Sequence, residues 1–511
     1  MPINSPHPDV AKQSDDWERC RDTIEGEQAI RRRIQKYLPP PPGLAGQATT
    51  VLANLQNFEN TKYSFYTTFA RWPVLVGPSV NGMQGMIHAK PPEITLPERM
   101  EYLREIATPD GDSLNELFEL MTREVISTGR ISLLGEIGVN TEKTRDNVFL
   151  CPYIAEALTN WQLMKKIEGG HPHLVVLAEK NLEPKSEDNP YEYEEKTQWR
   201  ELAIVDDKYV VRLWEADEDS SEPKVVAVEG ADEDGWLMPQ LKGSQFARIP
   251  IEVINAVDRG FDFGPIPSLP MVTRALSIFR LTADYYRSLF QKGDPQPWIA
   301  GIDPGDKPTQ VGGTEIWAFS HSDAKAGYLD IDGNGIPLQA AAIADEYDRF
   351  ELESGQLRGM NDSSAAESGV AVKARQSMQV VTLKSLVVNV AEGLQQSLRM
   401  VAQMLGIAEQ SALDSITVVP NLEFTEPTLT AAEAQLWGQA RLAGGVRISA
   451  KTLHKLLKRG NIPVQDEFDD EEADIASDPP PLSGLGGVFD EEPPDDDDKA
   501  GDDEDDNDEG E

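Results

Sequence analysis

The stretch from Val370 to Leu405 is the strongest constraint on what this chain can fold into. Val380, Leu383, Val387, Val390, Leu394, Leu398, Val401 and Leu405 recur in steps of three and four. Lys373, Arg375, Gln379, Lys384, Gln395 and Arg399 supply the polar faces. That periodicity predicts one amphipathic helix about 54 Å long at 1.5 Å per residue. Gly393 lies inside it, where a bend can be accommodated. A helix of this length needs a large body to bury its apolar stripe, and 511 residues provide for two to four packed units.

Two further helical patterns precede it. Pro270 to Gly293 places Met271, Ala275, Ile278, Thr282, Tyr285 and Leu289 on one stripe, with proline tolerated in the first turn. Leu338 to Arg358 repeats the pattern through Ile343, Tyr347, Phe350 and Leu352. Between them WIAGI, EIWAF and GYLDI are short strand candidates, and GMNDSSAAESG before the long helix is a loop of small and polar residues.

Nearer the N-terminus, Ser113 stands as a helix start before LNELFELMTREVIST and Gly129 as its stop. ISLLGEIGV follows as a strand. LVVLAEK, ELAIVD, YVVRLWEA and VVAV, between residues 174 and 228, predict a small, mostly antiparallel sheet that IPIEVINA completes. Tyr63, Phe65, Tyr66, Phe69 and Trp72 are spaced for a buried helix. The first forty residues are polar and end in LPPPP, which reads as a linker or an arm laid on a neighbour. Helices are expected near 431–443 and 450–459, after a strand-like ITVVP.

Charge narrows the function classes. The formal net charge is −41; residues 466–511 hold 23 acids and one Lys, leaving −19 on the rest. Such a tail is expected to be disordered. An acidic body argues against a free-standing reader of DNA sequence, whose affinity comes largely from Lys and Arg on phosphates. Cys20 and Cys151, the only cysteines, are expected to be packed thiols rather than a disulfide framework or a zinc site. Met1 to Asp16 has no apolar leader and no stretch is long enough for a membrane span, so folding in a cytoplasm is expected.

Chemistry-bearing motifs are sparse. There is no Walker-type phosphate loop; GIDPGDK at 301–307 lacks its spacing and reads as a turn. His171 and His173 flank a proline without a third ligand. DIDGNG, at 330–335, begins like a calcium loop, but its twelfth position is Ala341 rather than a bidentate Glu. The acidic runs at 215–219 and 466–472 are expected to be solvated charge. No catalytic residue, metal or cofactor is assigned.

YRSLFQKGDPQPWIAG at 286–301, ESGVAVKAR at 367–375, GMIHAKPPEI at 85–94 and STGRISLLGE at 127–136 occur in a telling order with the helices. Together they resemble tailed-bacteriophage portal proteins, over residues 45–460. The resemblance implies an α+β subunit of a homo-oligomeric ring of typically twelve copies in the virion. The ring occupies one capsid vertex, assembled in the host cytoplasm. It passes double-stranded DNA without sequence specificity, and its partners are the terminase large subunit, a head-tail adaptor and the major capsid or scaffolding protein. No membrane is involved.

Mapped onto the chain, this gives an N-terminal arm (1–44), a mixed wing (45–265) and a first stem helix (266–293). A clip (294–337) and a second stem helix (338–358) follow, then a tunnel loop (359–369), a long wing helix (370–405), a helical crown (406–475) and an acidic tail (476–511). The tunnel loop would be Gly359, Met360, Asn361, Asp362, Ser363, Ser364, Ala365, Ala366, Glu367, Ser368 and Gly369. Arg280, Arg287, Lys292, Lys373 and Arg375 would be sparse phosphate contacts, with helix-surface charge or intersubunit pairing as the alternative for each. The competing readings are a metal-dependent DNA-processing enzyme and another head-tail completion ring.

Overall fold

The computed structural model describes residues 2–42, 62–138, 147–164, 171–186, 189–216, 222–241, 244–294, 296–302, 322–329, 332–354, 369–407 and 409–424, with isolated positions between 451 and 473. It is a mixed helix-and-sheet protein divided into two compact units, 1–424 and 425–511. In the second unit the described residues include His454, edge-on to Phe468 at 5.6 Å, with Lys451 over the same ring. The helices expected at 431–443 and 450–459 and the acidic tail lie almost entirely outside the described residues.

The first unit begins with α1 (Pro8–Glu25), α2 (Glu27–Arg32) and α3 (Ile34–Tyr37). These polar helices still bury Trp17, Cys20, Ile30 and Tyr37, because single large apolar residues at helical spacing suffice to dock them. Trp17 donates its indole N–H to the Thr128 carbonyl at 3.0 Å. Next come α4 (Lys62–Thr67) and α5 (Val76–Ile87), then strand β1 (Glu93–Thr95). Helix α4 ends at Thr67, so Phe69 and Trp72 lie beyond it rather than on one helix as expected; Tyr63, Tyr66 and Trp72 are buried, whereas Phe65 is exposed.

Helix α6 (Leu114–Thr128) forms where the sequence places it. Ser113 Oγ accepts from the Glu116 backbone N–H and Glu116 accepts from that of Ser113, which closes a capping box. At its other end Gly129 adopts φ 86°, and a Cβ there would lie 3.1 Å from the Pro265 carbonyl oxygen, so both backbone sign and space require glycine.

Strands β2 (Arg130–Ile137), β3 (Val148–Ile154), β4 (Leu158–Leu163), β5 (Pro172–Ser186), β6 (Asn189–Val205), β7 (Lys208–Glu215) and β8 (Lys224–Val225) follow. The short β9 (Gln240–Leu241) and β10 (Ser244–Gln245) pair with each other before β11 (Ile251–Asn255). β4 to β8 make an antiparallel five-stranded sheet in chain order. Asp206 and Asp207, both at positive φ, form the two-residue turn between β6 and β7. IPIEVINA does not complete this sheet. Its strand β11 pairs with β2 instead, in the order β11-β2-β3. A nearly continuous apolar run signals a buried strand but carries no information about its partner.

Helix α7 (Leu269–Gly293), strands β12 (Gln296–Ala300) and β13 (Lys325–Leu329), and helix α8 (Gly335–Ser354) come next. Helix α9 (Gly369–Met404) then runs unbroken for 36 residues. It packs on β11, β2, β3 and α6, burying Val387, Val390, Leu394, Leu398 and Val401. Gly393 is explained by close approach: a Cβ there would stand 2.5 Å from Ile254 Cγ1. Helix α10 (Gln410–Ser415) leads into β14 (Thr417–Val419), which pairs antiparallel with β1. The EIWAF segment lies outside the described residues.

Burial holds the Glu252 carboxyl on β11 above the usual range, with Arg259 opposing in part. The folded protein therefore favours the protonated form. That contribution is fully present below the unfolded value of about 4.3 and is lost as pH rises through the raised folded value. Glu252→Gln should leave melting temperature near the parent's at acidic pH and exceed it progressively as pH is raised to 7. Parallel melting curves across that range would refute the assignment.

Candidate functional site

The feature that stands out from this body is the helical hairpin α7–α8 and the β-hairpin that joins it. The proximal half of α7 buries Met271, Val272, Ala275, Leu276, Ile278, Phe279 and Ala283 in the common core. The distal half does not: Tyr286, Leu289 and Phe290 are exposed. On α8 only Phe350 and Ser354 are buried, while Leu338 and Leu352 are exposed.

The two helices run antiparallel. Near the body Arg274 of α7 pairs with Glu353 at 3.0 Å and Glu346 at 3.4 Å on α8. At the far end a Cβ on Gly333 would lie 3.7 Å from Lys292 Cε. Hydrogen bonding to Glu353, then the charge of both carboxylates, raises the Arg274 pKa and keeps the guanidinium firmly charged. β12 and β13 close the far end as an antiparallel pair, from Gln296 opposite Leu329 to Ala300 opposite Lys325. Trp298, Tyr328 and Leu329 are exposed there. Residues 332–334, within DIDGNG, form the turn into α8: Asp332 accepts from the Asn334 backbone and side-chain amides at 3.2 and 2.8 Å.

The anticipated basic residues fare differently. Arg280 donates through Nε to the Tyr37 carbonyl at 2.8 Å, pinning the end of α3 to α7; burial, and then nearby Arg19, lower its pKa. Its main visible role is thus structural. Arg287 lies over the Tyr66 ring at 5.5 Å, and Lys292 is exposed at the end of α7. Lys373 and Arg375 sit in the first turns of α9, but their side chains lie outside the described residues, as do residues 359–368 of the loop. Gly369 is the first residue of α9. The structure therefore brings Arg280, Arg287 and Lys292 onto one helix and leaves their relation to Lys373 and Arg375 undescribed.

Two further polar groups, the part-buried Arg21 and the fully buried Arg130, carry no signal in the sequence. Arg21 on α1 grips Glu124 of α6 through both Nη atoms (2.9 and 2.7 Å) and Glu156 through Nε and Nη2, each at 2.9 Å. Arg130, at the start of β2, stacks on Phe263 and Trp161 with its guanidinium 4.4 and 5.5 Å from the ring centres. It also donates to the Phe261 carbonyl, and burial lowers its pKa to about 10. Neither pairing is encoded in local spacing, since the partners are between 31 and 135 residues apart. Among the described residues no group of three or more His, Cys, Asp or Glu could hold a metal ion. Cys20 and Cys151 are buried thiols, pushed up by burial to about 11 and about 12.

Residues 267–405 match the family described as Domain of unknown function (DUF4055). That span runs from α7 through α9, the helical hairpin and the long helix. Among solved structures the chain is similar to the neck of an empty gene transfer agent (GTA) particle computed with C6 symmetry, at 14% identity over 76% of this chain and 90% of that one, with a TM-score of 0.37. The neck of the native particle computed with C12 symmetry has the same identity and coverage and a TM-score of 0.36. The virion of the native particle gives 16% identity over 74% and 88%, with a TM-score of 0.36. No curated protein matches the chain. Among the described residues no helix is long and apolar enough to cross a membrane.

Proposed function

We propose that this chain is a structural subunit of a phage-like particle, a portal protein that assembles into a ring-shaped channel at one capsid vertex for DNA packaging and ejection. The observation that carries the reading is the projecting hairpin. An antiparallel helix pair leaves Tyr286, Phe290, Leu338 and Leu352 exposed and ends in a β-hairpin that exposes Trp298 and Tyr328. Apolar surface of this kind, on an element standing away from its own core, is suited to burial against further copies. The order of helix, small strand unit, helix, small polar loop and very long helix is the order on which the resemblance to portals rests. In this assignment α7 and α8 are the stem, β12 and β13 belong to the clip, and α9 is the long wing helix. The ring has about twelve copies by that resemblance, and terminase and adaptor dock on the clip.

The test is assembly. Light scattering and negative-stain imaging of the purified chain should show particles many times 56.4 kDa with an axial hole. A stable monomer at micromolar concentration would overturn the reading. A finer expectation concerns the polar start of α9. Lys373→Ala combined with Arg375→Ala should leave ring mass unchanged and reduce retention of packaged DNA. Normal packaging and retention by that variant would remove both residues from the channel.

A further inference from the structure

The distal half of α7 and α4 enclose a groove of about 160 Å³ between Phe65, Phe69 and Phe290, with Lys62 and Arg287 at its rim. The three rings meet at centroid distances of 5.0 to 5.5 Å, so the aromatic lining is a built cluster. Even so, Phe65 is 52% exposed and Phe290 44%. A cavity of roughly 150 Å³ accepts one benzene-sized apolar group, so this groove has room for one large apolar side chain. Its cationic rim favours an occupant that brings carboxylates with it.

The other flank of the same hairpin presents that chemistry. Leu338, Ala341, Asp345, Asp348 and Leu352 are all exposed and recur at the spacing of a helix-packing stripe. Leu338 is 73% exposed. Arg349, at 2.8 Å, partly offsets Asp345. Helix α8 carries five acids and one base, while α7 carries four bases and one acid; Glu346 and Glu353 pair with Arg274 of the same copy, so Asp345 and Asp348 are the acids this stripe presents outward.

Height along the hairpin selects the meeting point. Gly333 is level with Lys292, and the helices are antiparallel, so Leu338 stands level with the segment around Arg287. Rotation about a symmetry axis leaves height along that axis unchanged. In a ring whose hairpins lie along the axis, Leu338 of one copy therefore arrives at the height of the aromatic groove of the next.

The geometry points to the Phe65–Phe69–Phe290 groove as the socket for Leu338 of a second copy of this chain, with the acidic stripe of that copy's α8 running alongside the basic α7. The inference rests on the ring reading above and adds the residues that close it. The contact is head-to-tail, because socket and knob lie on different surfaces of each copy.

Disulfide trapping tests it. Cys20 and Cys151 are buried and compete little for oxidant. The double variant Phe65→Cys with Leu338→Cys, assembled and then mildly oxidised, should give a ladder of covalent species extending beyond the dimer on a non-reducing gel. Each single variant should give none. Light scattering on the unmodified chain is run alongside. Rings without a ladder, a ladder stopping at dimers, or a disulfide confined to the monomer would each overturn this contact while leaving the ring reading in place. A monomeric unmodified chain would instead remove the ring reading, and this contact with it.

Discussion

Leu394→Asp should prevent folding. Leu394 is fully buried in the second half of α9, the helix that packs on the β11-β2-β3 sheet. Losing a packed leucine costs about 2–5 kcal/mol, and a carboxylate placed there has neither water nor an opposite charge to offset its desolvation. The sum approaches or exceeds the roughly 5–15 kcal/mol that a whole domain has to spare. Val387→Asp, on the same stripe, should act alike. Expression should yield insoluble protein, or soluble protein without a cooperative melting transition by circular dichroism. A soluble variant melting within a few degrees of the parent would mean that α9 does not pack on this sheet.

Arg21→Met should lower stability by about 3 kcal/mol. The guanidinium holds Glu124, whose side chain is only 7% exposed, in a bidentate pair and reaches Glu156 as well. Desolvation lowers the Arg21 pKa, but the two carboxylates outweigh it and the net direction is upward. Removing the arginine strands Glu124 as a buried charge between α1 and α6. Arg21 itself is about a third exposed, which places the effect at the lower end of the range for broken buried pairs. Urea unfolding should show a reduced midpoint at unchanged slope. Adding Glu124→Gln should recover part of the loss, because the stranded charge is then gone. A single variant as stable as the parent would show that water solvates Glu124 adequately.

The Arg21 site also shows where sequence reasoning stops. The polar composition of the first forty residues suggests a linker or an arm laid on a neighbour, yet Trp17, Cys20 and Tyr37 dock the helices of residues 8–37 into the core of their own chain. A few large side chains decide docking, and average polarity conceals them. Similarly, Gly393 within a helical pattern suggests a bend, and only the approach of Ile254 from another strand reveals why a side chain is excluded. Arg280 reads as a charge facing solvent until the Tyr37 carbonyl appears beside it.

Local periodicity alone determined the hairpin helices, the unbroken long helix, the capped helix ending at Gly129 and most of the strands. Each depends on contacts within one or two turns, or on alternation along one segment, and those are written directly in residue order. The tertiary structure decided which sheet IPIEVINA joins, which arginines are committed to buried carboxylates or carbonyls, and that Phe65 on α4 and Leu338 on α8 remain exposed. These outcomes depend on which distant segments compete to cover the same apolar surface, and spacing along the chain does not encode that competition.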